Sequence, residues 1–182
     1  MRIIAGEAKS RTLIAPKGDE TRPTSDKIRE ALFSILQFDV PGARVLDLFG
    51  GTGALALEAV SRGAESAVIC DISAEAAKCI QRNIITVAGD SGKVSFLKLD
   101  YRKALEKLST EKFDLIFLDP PYRMTESYTY SIQFIFDSGM LAEGGQIIAE
   151  RQKGAVYSVP ETAAVRDTRT YRDTQLDFIV RR

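Results

Sequence analysis

The segment of this sequence best equipped for chemistry is Asp119-Pro120-Pro121-Tyr122. A carboxylate is followed by two residues with fixed φ and no N–H, so the segment is stiff and its carbonyls are left to accept hydrogen bonds. An amine on an aromatic ring presents two N–H donors. The Asp119 carboxylate can take one and the Pro120 carbonyl the other. Such an amine is a poor nucleophile, because its lone pair is delocalised into the ring. Two fixed acceptors favour the pyramidal nitrogen needed for attack and stabilise the positive charge that develops. Tyr122 offers a face on which a base can stack, worth roughly 1–3 kcal/mol. The competing reading is a surface turn after a buried strand, for which Asp-Pro-Pro-Tyr is equally suited.

A second constellation lies upstream. Val45-Leu46-Asp47-Leu48-Phe49-Gly50-Gly51-Thr52-Gly53 reads as a strand running into a glycine loop, and Asp71 follows 20 residues after Gly51. Glycines let a ligand approach the backbone closely, and an acid at the end of the next strand can accept from a ribose diol. The pair predicts a nucleoside-bearing cofactor. Gly51-Thr52-Gly53-Ala54-Leu55-Ala56 loosely fits a dinucleotide loop. However, Asp47 would repel a pyrophosphate there, whereas it suits S-adenosylmethionine, which carries an ammonium and a sulfonium and no phosphate. A tight structural turn is the remaining alternative. Asp100 closes a third strand, where it can accept from an adenine amino group or cap the helix that follows.

Composition narrows the chemistry further. The 182 residues include no histidine, so neither a Ser-His-Asp nor a Cys-His catalytic unit can be built. The two cysteines, Cys70 and Cys79, lack metal-ligand spacing, and no metal is expected. The chain starts Met1-Arg2-Ile3-Ile4 without a long apolar run, so neither a signal peptide nor a membrane span is expected, and a cytoplasmic protein with reduced thiols is the simplest reading. Net charge is zero but uneven: +2 over residues 1–44, −5 over 45–150 and +3 over 151–182. Basic ends are compatible with a polyanion partner, although differences this small are common on any surface.

The elements that must position these residues follow from periodicity. Residues 2–5 and 12–15 are apolar runs around a basic connection and predict a β-hairpin. Ser25 is placed to cap a helix to about Gln37, with Ile28, Ala31, Leu32, Ile35 and Leu36 on one face. Pro41-Gly42 divides this 1–42 extension from a main domain, 43–182, within one compact unit. Strands are expected at 44–48, 66–70, 94–99, 113–118 and 146–150. Helices are expected at 54–62, 74–87 (capped by Ser73), near 102–108 and at 127–138. Such alternation argues for a parallel sheet covered by helices. Val165–Tyr171 and Gln175–Arg181 leave no room for a helix between them and should form an antiparallel edge hairpin.

The Asp47–Gly53 loop and Asp119–Tyr122 together resemble class I methyltransferases that act on planar amines. Arg2-Ile3-Ile4-Ala5-Gly6, Thr21-Arg22-Pro23-Thr24 and Arg29-Glu30-Ala31-Leu32-Phe33 resemble, more specifically, the RsmD family, which methylates the 2-amino group of a guanine in bacterial 16S ribosomal RNA. That resemblance implies a Rossmann-like α/β fold, mostly parallel, with an antiparallel C-terminal hairpin and an N-terminal hairpin and helix. It implies S-adenosylmethionine held by Asp47, Gly50, Gly51, Thr52, Gly53, Asp71 and Asp100, with Phe49, Ile72 and Tyr101 in the same site. Asp119, Pro120, Pro121 and Tyr122 would hold the guanine. Arg22, Thr24 and Arg29 would border the active-site mouth, and Arg2, Lys9 and Arg11 would touch RNA phosphates. The expected partner is 16S rRNA or the small ribosomal subunit, met by a monomer. The family's second-strand acid is often Glu where this chain has Asp71, and its closing turn often has Gly where this chain has Arg172. An amine methyltransferase acting on DNA adenine or protein glutamine, and a non-catalytic RNA-binding assembly factor with the same fold, are the alternatives.

Overall fold

A computed structural model describes residues 1–16, 26–121 and 123–182. The expected cap Ser25 lies outside the described residues. The elements are α1 (Asp26–Ile35), β1 (Arg44–Asp47), α2 (Ala54–Ser61), β2 (Ser66–Cys70), α3 (Ala74–Ala88), β3 (Val94–Leu97), α4 (Tyr101–Lys107), β4 (Phe113–Leu118), α5 (Glu126–Asp137), β5 (Leu141–Gln152), β6 (Ala163–Tyr171) and β7 (Thr174–Arg181). They build a seven-stranded sheet in the order β3-β2-β1-β4-β5-β7-β6. The first five strands in that order are parallel. β7 runs antiparallel to β5 and to the edge strand β6, as the expected hairpin requires.

Both faces of the sheet are covered. Val45, Leu115, Phe117, Ile148 and Phe178 pack with α1, α2, α3 and the N-terminal segment. Their neighbours Leu46, Ile116, Leu118, Ile147 and Ile179 pack with α4 and α5. The two-residue period of a strand divides β4 between the two cores, which is why Phe113–Leu118 is almost continuously apolar. Strand β5 begins earlier than its pattern suggests. Phe113 pairs with Leu141 and Leu115 with Gln146, so the residues between form a bulge before the regular ladder.

Two expectations are corrected at the N-terminus. The chain does reverse between residues 3 and 11, with Ser10 N donating to Ile3 O (2.9 Å) and Ile3 N to Arg11 O (3.0 Å). Only Arg2 and Thr12 form an antiparallel bridge, however, and no two-stranded hairpin follows. The ladder stops because the next amides turn to another partner: Ile4 N and Ala5 N donate to the two carboxylate oxygens of Glu58 on α2 (2.8 and 3.0 Å). Gly6, at φ 86°, lies so close to α2 that a Cβ would overlap the Ser61 carbonyl.

The second correction concerns α1. Its buried residues are Arg29, Leu32 and Phe33, while Ile35 is partly exposed. The inner stripe runs through an arginine, which hydrophobic periodicity cannot see. Arg29 is completely enclosed. Its Nη2 donates to the Arg2 carbonyl and to Asp26 Oδ1 (3.0 Å), and its Nε lies 3.7 Å from Glu58 Oε2. Burial lowers its pKa, and Glu58 and then Asp26 oppose that shift.

At the other end, Arg172 takes φ 54° in the β6–β7 turn. The turn closes with Tyr171 paired to Thr174 although no glycine is present.

Candidate active site

Register alone assembles the site. Asp47, the last residue of β1, is paired with Ile69 of β2 and Phe117 of β4. Asp71 and Asp119 each stand two residues beyond those partners, so the three acids share the carboxyl edge of adjacent strands, where open α/β sheets bind ligands.

The loop after β1 is shaped by its neighbours as much as by a ligand. A Cβ on Gly50 would overlap the Ile69 side chain, and Gly50 N donates to Cys70 O (2.7 Å). Gly51 and Gly53 take φ 56° and 77°, a region that only glycine enters without penalty. Gly53 then caps α2 with no side-chain hydrogen bond. Asp71 is held from both sides: Oδ2 accepts from Gly51 N and Oδ1 from Ser73 N, each at 2.8 Å. A carboxylate has about four acceptor positions, so both oxygens keep capacity for a diol.

Asp47 is almost wholly buried, and its Oδ1 has no hydrogen-bond partner among the described residues. Burial pushes its pKa up to about 7; Asp71 adds to the shift, and the backbone amides of Ala56 and Phe49 oppose it. An unsatisfied buried carboxylate of this kind fits a cationic ligand group and not a phosphate. The Cys70 thiol behind it is pushed up to about 12, chiefly by burial, and is therefore unreactive.

The remaining cofactor candidates divide. Asp100 caps α4 by accepting from Arg102 N at 3.0 Å. Tyr101 is buried, with its ring 5.4 Å from Phe49 and 5.8 Å from Tyr130. Arg102 lies 4.6 Å from the Tyr130 ring centre and donates from Nε to the Tyr101 hydroxyl. Phe49 is half-buried at the edge of this cluster, and Ile72 is 65% exposed beside Asp71. Thr52 is buried, with its hydroxyl 3.5 Å from Met1 Sδ, so it faces the N-terminal segment.

Beyond the end of β4, Asp119 is half-buried, Pro120 buried and Pro121 exposed. Pro121 O accepts from Met124 N (2.8 Å), closing a turn into α5. Tyr122, Arg22 and Thr24 lie outside the described residues. Arg2, Lys9 and Arg11 are exposed, and Arg11 Nη1 donates to the Thr86 carbonyl on α3. Arg29 is the correction: a fully enclosed guanidinium cannot contact RNA, and its role is to hold the N-terminal segment to α2.

The residues missed in the sequence are those that dock this segment. Besides Glu58, Ser61 accepts from Ala8 N (3.0 Å) and donates to Ala5 O (2.6 Å). Asn83, fully buried on α3, accepts from Ile14 N (2.8 Å) and donates to Ile14 O and Thr52 O (both 2.9 Å). Glu58 did leave a signal: it is the single charge in the helix Ala54–Ser61, which is otherwise apolar up to Ser61 and wholly buried.

Comparison with known proteins places the whole chain in a family. The family described as Conserved hypothetical protein 95 matches residues 1–180. The candidate rRNA methyltransferase YlbH of Bacillus subtilis (strain 168) is 35% identical over 89% of this chain and 87% of its own length. Ribosomal RNA small subunit methyltransferase D of Escherichia coli (strain K12) is 32% identical over 84% of this chain and 75% of its own length. Among solved structures, the candidate methyltransferase yhhF from Escherichia coli superposes with a TM-score of 0.86 at 28% identity, covering 100% of this chain and 97% of that one. With its class I methyltransferase sheet, this chain belongs to the Conserved hypothetical protein 95 family, the family of the ribosomal RNA small subunit methyltransferase D proteins.

Proposed function

We propose that this protein methylates the exocyclic 2-amino group of a guanine in 16S ribosomal RNA, with S-adenosylmethionine as methyl donor. One observation carries the reading: the strand register sets the donor-side acids Asp47 and Asp71 and the amine-side Asp119 on one sheet edge. The ribosomal RNA is supported by the relatives' names and the guanine by the N-terminal likeness alone, not by the edge itself. Asp47 would face the cationic part of the cofactor, and Asp71 its ribose. When bound, the cofactor supplies an electrophilic methyl group on a sulfonium. Asp119 and the Pro120 carbonyl would hold the amine, orient its lone pair and share the positive charge that develops.

The test uses labelled S-adenosylmethionine with small subunits, naked rRNA, DNA and protein from cells lacking the enzyme. Label is expected in small-subunit RNA, recovered after digestion as 2-methylguanosine. Label confined to DNA or protein overturns the RNA reading.

Asp47 gives a pH prediction. Its folded pKa is raised from 3.8 to about 7, so in the ligand-free protein its contribution to stability is full below about pH 4 and is lost as pH rises through 7. A cation bound beside it favours the carboxylate. Cofactor affinity should therefore increase by up to about tenfold per unit from pH 5.5 towards 7, with proton release on binding. Calorimetry in buffers of different ionisation enthalpy measures both. Asp47→Asn should bind more weakly and without that slope; a flat wild-type profile contradicts the assignment.

A further inference from the structure

Beyond Asp119 along the same edge, a cleft of about 400 Å³ opens between the first turn of α5 and the loop leaving β5. It is lined by Thr125, Tyr128, Gln152, Lys153, Gly154 and Ala155. Its place is set by register: Leu118 pairs with Ala149, so Gln152–Ala155 extend past the strand end on the side of Asp119 away from Asp71. The order along the edge is then cofactor acids, amine acceptors, cleft. The volume suits one nucleotide-sized group.

The cleft wall is held in place by its backbone. Lys153 N donates to Asp173 O (2.7 Å), Ala155 N to Gln152 O (3.0 Å), and Arg151 Nη1 to Ala155 O (3.1 Å). Arg151 is itself anchored on the buried Asp177, which also accepts from Tyr157 and Thr168. The Lys153–Asp173 bond ties the β6–β7 turn, in which Arg172 precedes Asp173, to the cleft-lining Lys153. Both Lys153 and Arg172 are exposed, and neither forms an ion pair among the described residues. Asp173 and Glu126 are the acids on the same elements. Arg172 takes φ 54° because the two-residue hairpin turn requires a positive φ at its first central residue.

We propose that this cleft seats the ribose-phosphate of the nucleotide adjoining the target base, with Lys153 and Arg172 neutralising its phosphodiester. The proposal rests on the RNA reading above. Seating the neighbouring nucleotide holds the strand while the target base is displaced towards Asp119.

Lys153→Ala, Arg172→Gly and the double variant test it, with Lys93→Ala, before β3 at the opposite edge, as the control. Glycine accepts φ 54° freely, so a loss in Arg172→Gly cannot be ascribed to a broken turn. Steady-state methylation of small-subunit RNA is measured over a salt series, and cofactor affinity by calorimetry. The double variant should raise KM for RNA about tenfold and flatten the plot of log(kcat/KM) against log salt by about 1–2 units. Its kcat should stay within twofold, with cofactor affinity and the Lys93→Ala control unchanged. Wild-type KM and salt slope in the double variant overturn the cleft assignment while leaving the RNA reading intact. If wild-type enzyme labels no RNA, the RNA reading itself fails.

Discussion

Asp119→Ala is expected to lower methyl transfer by at least about 10²–10³-fold while leaving cofactor affinity within about twofold. The reason is the division of labour along the sheet edge. Asp47 and Asp71 stand at the ends of β1 and β2, whereas Asp119 stands beyond β4 on the other side of β1. Removing its carboxylate takes away an acceptor whose interaction with the amine strengthens as positive charge develops, so the loss falls on the transition state. Asp119→Asn keeps one acceptor oxygen but no charge, and should fall between alanine and wild type. Single-turnover transfer to small-subunit RNA gives the rate, and calorimetry the affinity. Full activity in the alanine variant removes Asp119 from the mechanism. A parallel loss of cofactor affinity would instead place it on the donor side.

The largest stability effect is expected at Glu58. Its buried carboxylate accepts from Ile4 N, Ala5 N and Arg62 Nε (2.8 Å) and lies beside the enclosed Arg29. Glu58→Ala leaves two amides unpaired and strips Arg29 of its nearest buried counter-charge. Arg29 Nε and Nη1 have no hydrogen-bond partner among the described residues, so Glu58 is the main buried compensation for this cation there. Breaking one side of a buried ion pair costs about 3–5 kcal/mol. In a domain of this size that is a fall of about 10 °C or more in Tm. Combining it with Arg29→Met removes the orphaned charge and should recover part of the loss, because deleting both partners of a buried pair is far milder than deleting one. A melting temperature within about 2 °C of wild type for Glu58→Ala alone would show that the carboxylate is not the anchor of the N-terminal segment.

The alternating strands and helices, the antiparallel end and the acids that close β1, β2 and β4 are legible in the residues alone. Each of these rests on a local rule: alternation within a strand, helical spacing, or loop glycines bordered by acids. Even the misplaced start of β5 is an error of boundary and not of type, since the bulge after Leu141 has no periodic signature. The polar residues inside are assigned only by packing between distant elements. Arg29, which the family likeness puts at the active-site mouth, is instead enclosed. The expected N-terminal hairpin gave way to a loop tied to α2. Thr52 faces Met1, and Asn83, with no local signature, joins Ile14 to the glycine loop after β1. The physical reason is common to all four. A polar group can be buried only where partners satisfy it, and, Asp26 beside Arg29 apart, these partners lie 27 to 69 residues away in sequence. Local pattern carries no information at that range.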